Sequence, residues 1–83
     1  MAESSTDIAS LVSSLVLPLV DNADEVEITS SENEGTVLVE IRVHEEDAGK
    51  VIGRQGRVIK AIRTLSRAAG SRNGFAVEVE LVD

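Results

Sequence analysis

Hydrophobic residues near the N-terminus recur at intervals of three and four positions, which is the spacing of one face of an α-helix. The members of this pattern are Ile8, Leu11, Val12, Leu15, Val16, Leu19 and Val20. Ser5 or Thr6 is suited to cap this helix, and Asp7 fits its first turn. Pro18 removes one helical hydrogen bond, so we expect the helix to kink or end near Leu17.

Three later segments alternate apolar and polar residues, which predicts strands with one buried and one wet face. They run from Glu25 to Thr29, from Thr36 to His44 and from Phe75 to Leu81. The stretch from Ser30 to Gly35, between the first two, has the composition of a turn. Because only one face of such a sheet is covered, all helices must pack on that face, and we predict a two-layer α+β domain.

Two helical patterns lie between the second and third strands, on either side of a four-residue loop. The acids Glu45 to Asp47 suit the start of the first helix. The second helix is predicted over Arg57 to Ala69, with Gly70 as its C-cap. Its expected buried stripe is Val58, Ile59, Ile62, Leu65 and Ala69. The predicted order of elements is therefore helix–strand–strand–helix–loop–helix–strand.

The basic residues are concentrated in one segment, although the chain of 83 residues carries a net charge of −7. Seven of its eight Lys and Arg residues lie between Lys50 and Arg72, and no Asp or Glu falls in that interval. The segment therefore carries +7 and the remainder −14. A block of one sign is often only a solvated face, and a net negative charge disfavours nucleic acid. The basic residues here surround a glycine loop, which favours a functional interpretation.

That loop is Gly53-Arg54-Gln55-Gly56, and it has the chemistry of a phosphate-binding loop. Glycine at both ends permits positive φ values and the close approach of another backbone. Free N–H groups at the start of the following helix favour an anion. Lys50, Arg57 and Lys60 flank the loop.

The loop fits neither of two common nucleotide-binding fingerprints. A P-loop requires a second glycine five residues after the first, where this chain has Val58. The dinucleotide fingerprint requires a third glycine and a preceding strand, whereas a helix is predicted before Gly53. Gly-x-x-Gly alone occurs often by chance, but between two helices of a three-stranded α+β domain it is a specific signal.

Catalytic and metal-binding arrangements find little support in the sequence. There is no cysteine, which excludes disulfides, thiolate metal sites and cysteine nucleophiles. His44 is the one histidine and is interpreted as an ordinary surface residue, because no Ser–His–Asp set or metal-ligand cluster can be assembled around it. The turn from Asp21 to Asp24 lacks calcium-loop spacing, since Ala23 stands at a ligand position. We expect a protein that is not an enzyme and that has no cofactor.

The N-terminus is acidic and polar, without the basic and apolar regions of a signal peptide. No apolar run approaches membrane-spanning length. We expect a soluble cytoplasmic protein, with residues 1–6 as a flexible tail and residues 7–83 as a single domain.

The segment from Asp47 to Arg57, continued by Arg63-Thr64-Leu65, resembles the signature of KH domains. The order of elements is similar to the type II, or bacterial, arrangement. In length and in its acidic start the chain most resembles the small single-domain bacterial members of the KhpA family. The resemblance extends from Ile8 to Leu81 and implies a three-stranded mixed sheet packed on three helices.

A KH domain implies single-stranded RNA as the ligand, held by a loop that clamps the backbone of about four nucleotides. The clamp residues implied here are Gly53, Arg54, Gln55 and Gly56. The implied supplementary phosphate contacts are Lys50, Arg57 and Lys60. The aliphatic floor beneath the bases, or alternatively part of the core, would be Val51, Ile52 and Ile59. Phe75 is the only aromatic residue, so stacking on aromatic side chains is not expected.

The resemblance implies an RNA chaperone or post-transcriptional regulator. A single small domain should bind RNA weakly, so association would raise its affinity, and the family suggests a homodimer or a heterodimer with a larger KH protein of the KhpB type. The alternative is a protein-interaction adaptor with a KH fold in which RNA binding is secondary, which the net charge of −7 favours.

Overall fold

A computed structural model of the chain describes residues 5–82, with side chains described from Asp7 to Val82. The helices are α1 (Ser5–Val16), α2 (Ala48–Ile52) and α3 (Arg57–Arg72). The strands are β1 (Glu27–Asn33), β2 (Thr36–Arg42) and β3 (Ala76–Val82). Short 3-10 turns cover Leu17–Leu19, Ala23–Glu25, Glu45–Asp47 and Arg54–Gly56. The predicted order of elements is confirmed. Of the predicted tail, residues 1–4 and the side chains of the two candidate caps lie outside the described part.

The sheet has the strand order β1-β2-β3, with β1 antiparallel and β3 parallel to β2. A parallel pair needs a long crossover, and here α2, the glycine loop and α3 form it. Side chains on one face of β2 and β3 are buried, whereas those on the other face are exposed or half-buried. The predicted α+β class and its mixed sheet with one covered face are confirmed.

The core lies between the covered face of the sheet and the three helices. Its fully or almost fully buried members are Ile8, Val12, Val16, Val37, Val39, Ile41, Val51, Ile59, Ile62, Val77 and Val79. Each contributes on the order of 1.5–3 kcal/mol by removing apolar surface from water. The predicted α1 pattern supplies three of them, at spacings of four residues.

Helix α1 ends where the proline predicts. Its last α-helical residue is Val16, and Leu17–Leu19, with Pro18 at its centre, forms a 3-10 turn. Pro18 thus ends the α-helix rather than kinking it. No helix among the described residues is long and apolar enough to cross a membrane.

The first hairpin differs from the prediction. The strand predicted to end at Thr29 continues to Asn33, and the turn consists of Glu34 and Gly35 alone. Both turn residues have positive φ, 53° and 83°, as a two-residue turn of type I′ requires. The polar residues from Ser30 onward have the composition of a loop, but pairing with β2 holds their backbone extended. The start of the predicted strand is wrong too, because residues up to Glu25 belong to a 3-10 turn.

Two features of α3 also correct the prediction. Leu65, expected in the buried stripe, is 49% exposed, and Ser66 takes the buried position beside it. Gly70, expected as the C-cap, lies inside a helix that continues to Arg72 and is capped by Asn73. A Cβ at position 70 would clash with the Val77 side chain and lie 3.1 Å from the Phe75 carbonyl oxygen. Gly70 is therefore explained by close helix–strand packing.

We predict that Gly70→Ala lowers the free energy of unfolding by about 1–2 kcal/mol, because the cost of overpacking exceeds the gain in helix propensity. Gly49→Ala is the matched control, since a Cβ there meets no atom within 4 Å. It should leave stability unchanged or raise it by up to about 1 kcal/mol. Urea unfolding of both variants measures the difference; equal effects would contradict the packing explanation.

Candidate nucleic-acid interface

The glycine loop joins α2 to α3 through only four residues. Helix α2 ends at Ile52, and the Gly53 N–H donates to the Gly49 carbonyl oxygen at 2.8 Å. A single 3-10 turn follows, in which the Gly56 N–H donates to the Gly53 carbonyl oxygen at 3.1 Å. Helix α3 begins at the next residue. Its first amide groups and the positive end of its dipole therefore lie beside the loop.

Gly53 is required at its position for two independent reasons. Its φ of 76° is unfavourable for residues with a side chain. In addition, a Cβ there would lie 2.8 Å from the Val58 Cβ and 2.9 Å from the Val58 backbone nitrogen. The second contact involves backbone, so no change of side-chain rotamer relieves it. Gly53 therefore lets α3 turn back directly against the end of α2.

The other end of the loop depends on backbone conformation alone. Gly56 has a φ of 76° in the left-handed region, and a Cβ at this position would meet no close neighbour. Gln55 also has left-handed values, φ 57° and ψ 24°. Such a conformation costs roughly 1–2 kcal/mol for a residue with a side chain and is often found at functional sites. Arg57 reaches back to the loop, where its Nη2 donates to Gln55 Oε1 at 3.3 Å.

The predicted basic contacts fall into two groups. Arg54, Arg57 and Lys60 are exposed, and none forms an ion pair with a side chain in the described part of the chain. Lys50 differs, because its ammonium group donates to carboxylates of Asp21 and Asp47. Its charge is compensated within the protein, whereas the three other cations around the loop are available to a phosphate backbone.

The three predicted floor residues are divided between core and surface. Val51 is completely buried and Ile59 is 8% exposed, so both belong to the core. Ile52, the last residue of α2, is 40% exposed beside the loop. Among these three, only Ile52 presents substantial apolar surface to solvent.

Asp47 holds the region preceding the loop in place, a role the sequence did not reveal. Its side chain is completely buried. It accepts hydrogen bonds from the backbone N–H groups of Asp21 and Asn22 at 3.2 and 3.0 Å, and from Asn22 Nδ2 at 3.1 Å. Lys50 Nζ donates to it at 3.2 Å. One carboxylate thus ties the α1–β1 connection to the start of α2.

These contacts determine the protonation of the network. Desolvation alone would raise the pKa of the Asp47 carboxyl, but the hydrogen bonds from the Asn22 and Asp21 backbone, the Asn22 side chain and Lys50 outweigh it. The net result holds the pKa of Asp47 well below its ordinary value. Hydrogen bonds to Asp21 and then Asp47 raise the pKa of Lys50, so this ammonium group stays charged.

The acids predicted at the start of this helix do more than complement its dipole, because the Asp47 carboxylate accepts four hydrogen bonds. No periodicity signals a partner 25 residues away in the chain.

His44 has a local structural role. Its Nδ1 accepts a hydrogen bond from the Glu46 N–H at 3.0 Å and thereby caps a 3-10 turn. Within the described residues, no group of three or more potential ligands is placed to hold a metal ion.

Charge is separated between the two sides of the domain. The basic segment forms the loop and the outer surface of α3. On the helix-free face of the sheet, Glu40 is paired with Glu80 and Glu78 stands opposite Leu38. Like charges opposite each other in a sheet are unfavourable, so this face is acidic at some cost in stability. An approaching polyanion would be repelled from the sheet and attracted to the loop.

A mixed three-stranded sheet, three helices on one face and a Gly-x-x-Gly loop between the last two helices define a KH domain with the type II order. The family model described as KhpA/KhpB, KH domain, matches residues 9–81, and the chain belongs to this family.

Curated relatives agree with this assignment, and a solved structure shares the fold. The curated protein named RNA-binding protein KhpA from Listeria monocytogenes serovar 1/2a is 44% identical over 73 residues, covering 88% of this chain and 96% of its own. The proteins of the same name from Aquifex aeolicus and Bacillus subtilis are 46% and 41% identical, over 78% and 88% of this chain and 82% and 90% of their own lengths. The structure of Aquifex aeolicus Era bound to GDP.AlF4- superposes with a TM-score of 0.62 at 20% identity, over 90% of this chain and 30% of that one.

We predict that Asp47→Asn lowers the melting temperature by several degrees and flattens its dependence on pH in the acid range. The pKa of Asp47 is lower in the folded state than its unfolded value of 3.8. Its contribution to stability is therefore present above that value and is lost progressively as the pH falls below it. Thermal unfolding between pH 2 and pH 7 tests this.

The matched control is Asp24→Asn, which removes an exposed acid from the same connection. It should leave the acid dependence of unfolding close to that of the wild type. If both variants follow the wild-type curve at low pH, Asp47 is not the group responsible.

Proposed function

We propose that this protein binds single-stranded RNA by clamping its sugar–phosphate backbone in the loop from Gly53 to Gly56. The observation that carries the proposal is the loop itself, where positive-φ glycines frame the exposed Arg54 at the start of α3. Arg54 and the α3 amides face the phosphates, and Arg57 and Lys60 extend the contact along the helix. Lys50, which is paired with Asp21 and Asp47, positions α2.

Single-stranded RNA is favoured over a duplex by the size and chemistry of this surface. A loop of four residues between two helices suits a few nucleotides of one strand, and single-stranded recognition in KH domains uses such a loop. The one aromatic side chain, Phe75, precedes β3 far along the chain from the loop, so the bases rest on aliphatic surface such as Ile52. The curated relatives named RNA-binding protein support the same ligand.

The cellular role that follows is that of an RNA chaperone or post-transcriptional regulator in the cytoplasm, with no catalytic step. One loop contacts few phosphates, so a single domain binds weakly, and association raises affinity by effective concentration. A homodimer, or a heterodimer with a larger KH protein of the KhpB type, meets this need. Leu65 supports association, because it is 49% exposed on α3 with the exposed Ala61 and Ala68 nearby on the helix.

We predict that Arg54→Asp/Gln55→Asp weakens binding to a short single-stranded RNA by at least about tenfold, because two new negative charges face the phosphates. Gln55 and Arg54 are exposed, so the fold should be retained, which circular dichroism checks. For the wild type, log Kd against log salt should have a slope of roughly 2–3, the value for three or four phosphates on a single strand. Fluorescence anisotropy at several salt concentrations provides both measurements.

The control for this experiment places the same charge elsewhere. Ser31→Asp/Asn33→Asp adds acids to β1, on the exposed side of the domain away from α3, and should bind as the wild type does. Unchanged binding by the folded loop variant would move the RNA site to another surface. If the wild type binds no RNA yet captures a protein partner, the adaptor function replaces the one proposed.

We predict that Leu65→Glu shifts the protein toward the monomer, since a carboxylate would be buried in the proposed contact. Light scattering should give a mass above that of one chain for the wild type and of one chain for the variant. Thr64→Glu adds the same charge at an exposed neighbouring position. It tests whether an added negative charge by itself lowers the measured mass. A wild type that is strictly monomeric, alone and with a KhpB-type partner, would exclude association as the source of affinity.

A further inference from the structure

Strand β3 is an edge of the sheet, so half of its backbone groups have no strand partner. Within residues 5–82, the strand order places β2 on one side of β3 and no strand on the other. Alternate residues of a strand direct their N–H and C=O groups to opposite sides. The carbonyl oxygen of Val79, on this strand, accepts a hydrogen bond from a side chain of α3. This edge therefore offers backbone groups beside the basic helix.

Arg63 supplies the donor in that contact. Its Nε–H donates to the Val79 carbonyl oxygen at 3.1 Å, across 16 positions of sequence. Arg63 is half-buried, whereas Arg57, Lys60 and Arg67 on the same helix are exposed. It forms no ion pair with any carboxylate in the part of the chain that the structure describes. Solubility alone does not explain why the charged Arg63 side chain is held against the sheet without a neighbouring carboxylate.

The contact leaves most of the guanidinium group available. Arginine has five N–H donors in a rigid fork, and the bond to Val79 uses only the one on Nε. The two Nη groups remain and can form an end-on pair of parallel hydrogen bonds. Because Nε is anchored, the plane of the fork is restricted before any ligand arrives, which reduces the entropy lost on binding.

Position along α3 relates this fork to the glycine loop. Arg63 follows Arg57 by six residues, or about 9 Å along the helix axis. It lies within about 60° of Lys60 around that axis, so a strand that leaves the loop over Lys60 passes next to Arg63. In the RNA complex proposed above, phosphates at the exposed cations would leave a base that is directed toward the sheet near the anchored guanidinium.

An arginine fork distinguishes bases by their acceptors. Guanine presents two neighbouring acceptors, N7 and O6, and cytosine presents O2 and N3 on its Watson–Crick edge. Adenine and uracil place a donor beside each acceptor on these edges, so they satisfy only one of two parallel N–H groups. A fixed fork therefore favours guanine or cytosine over adenine and uracil.

We propose that Arg63, anchored to the β3 edge, is the residue that gives this protein a preference for RNA containing guanine or cytosine. The proposal rests on the RNA-binding function above and adds a specificity-determining contact to it. Lysine cannot replace Arg63, because an ammonium group carries the same charge but lacks the planar fork.

The test compares Arg63→Lys with Arg67→Lys for binding to three labelled RNA octamers, alternating A/U, A/C and A/G. The wild type should bind the A/C or the A/G octamer about tenfold more tightly than the A/U octamer, a factor within the range for one bidentate base contact. Arg63→Lys should remove this preference while leaving A/U affinity and the salt slope unchanged. Arg67→Lys, with the same change at an exposed position, should retain the preference.

The outcomes separate this proposal from the general function. Equal binding of all three octamers by the wild type, or an equal loss for all three in Arg63→Lys, would overturn the role of Arg63 and leave RNA binding intact. A fall in melting temperature with an unchanged preference would show that Arg63 only covers the strand edge. Loss of binding in the loop variant but not in Arg63→Lys on A/U RNA would show that the two sites act separately. The tighter of the A/C and A/G octamers identifies the base.

Discussion

The close approach of Gly53 to Val58 is the constraint on which the functional region depends. A parallel strand pair requires a crossover, and in this one only four residues join two helices. This short connection is possible because no side chain separates Gly53 from the Val58 backbone. The same packing brings the start of α3 to the end of α2, so a steric requirement of the fold also creates a surface rich in backbone amides and basic side chains.

A second constraint acts on the other end of α2. The buried Asp47 satisfies backbone N–H groups of the connection between α1 and β1, and it also compensates Lys50. A five-residue helix is too short to be stable on its own, so it depends on such tertiary contacts. The ion pairs of Lys50 therefore help to hold the loop in position. The positive charge around the loop comes from the exposed side chains of Arg54, Arg57 and Lys60.

The distribution of charge reconciles an acidic protein with an anionic ligand. Acids occupy the helix-free face of the sheet, where Glu40 and Glu80 are neighbours on adjacent strands. The basic segment covers α3 and the loop. Long-range repulsion of a polyanion by the net charge is screened beyond about 8–10 Å at physiological salt, so a phosphate at the loop would experience mainly the charge of the nearby basic side chains. Repulsion between the acidic side chains on this face lowers the stability of the folded state.

The sequence by itself determined the fold class, the order of elements and the glycine loop, since periodicity and backbone preference are local properties. It left open whether Pro18 kinks or ends α1, and the structure ends the α-helix at Val16. Only the tertiary structure decided which side chains of the basic segment are bonded to other parts of the protein. Lys50 is paired with acids far away in the chain, and Arg63 is anchored to β3. It also decided that Leu65 is exposed and that Ser66 is buried, since a periodic pattern does not fix the exact rotation of a helix against the sheet. Contacts between distant segments select among such options, and a one-dimensional pattern does not contain them.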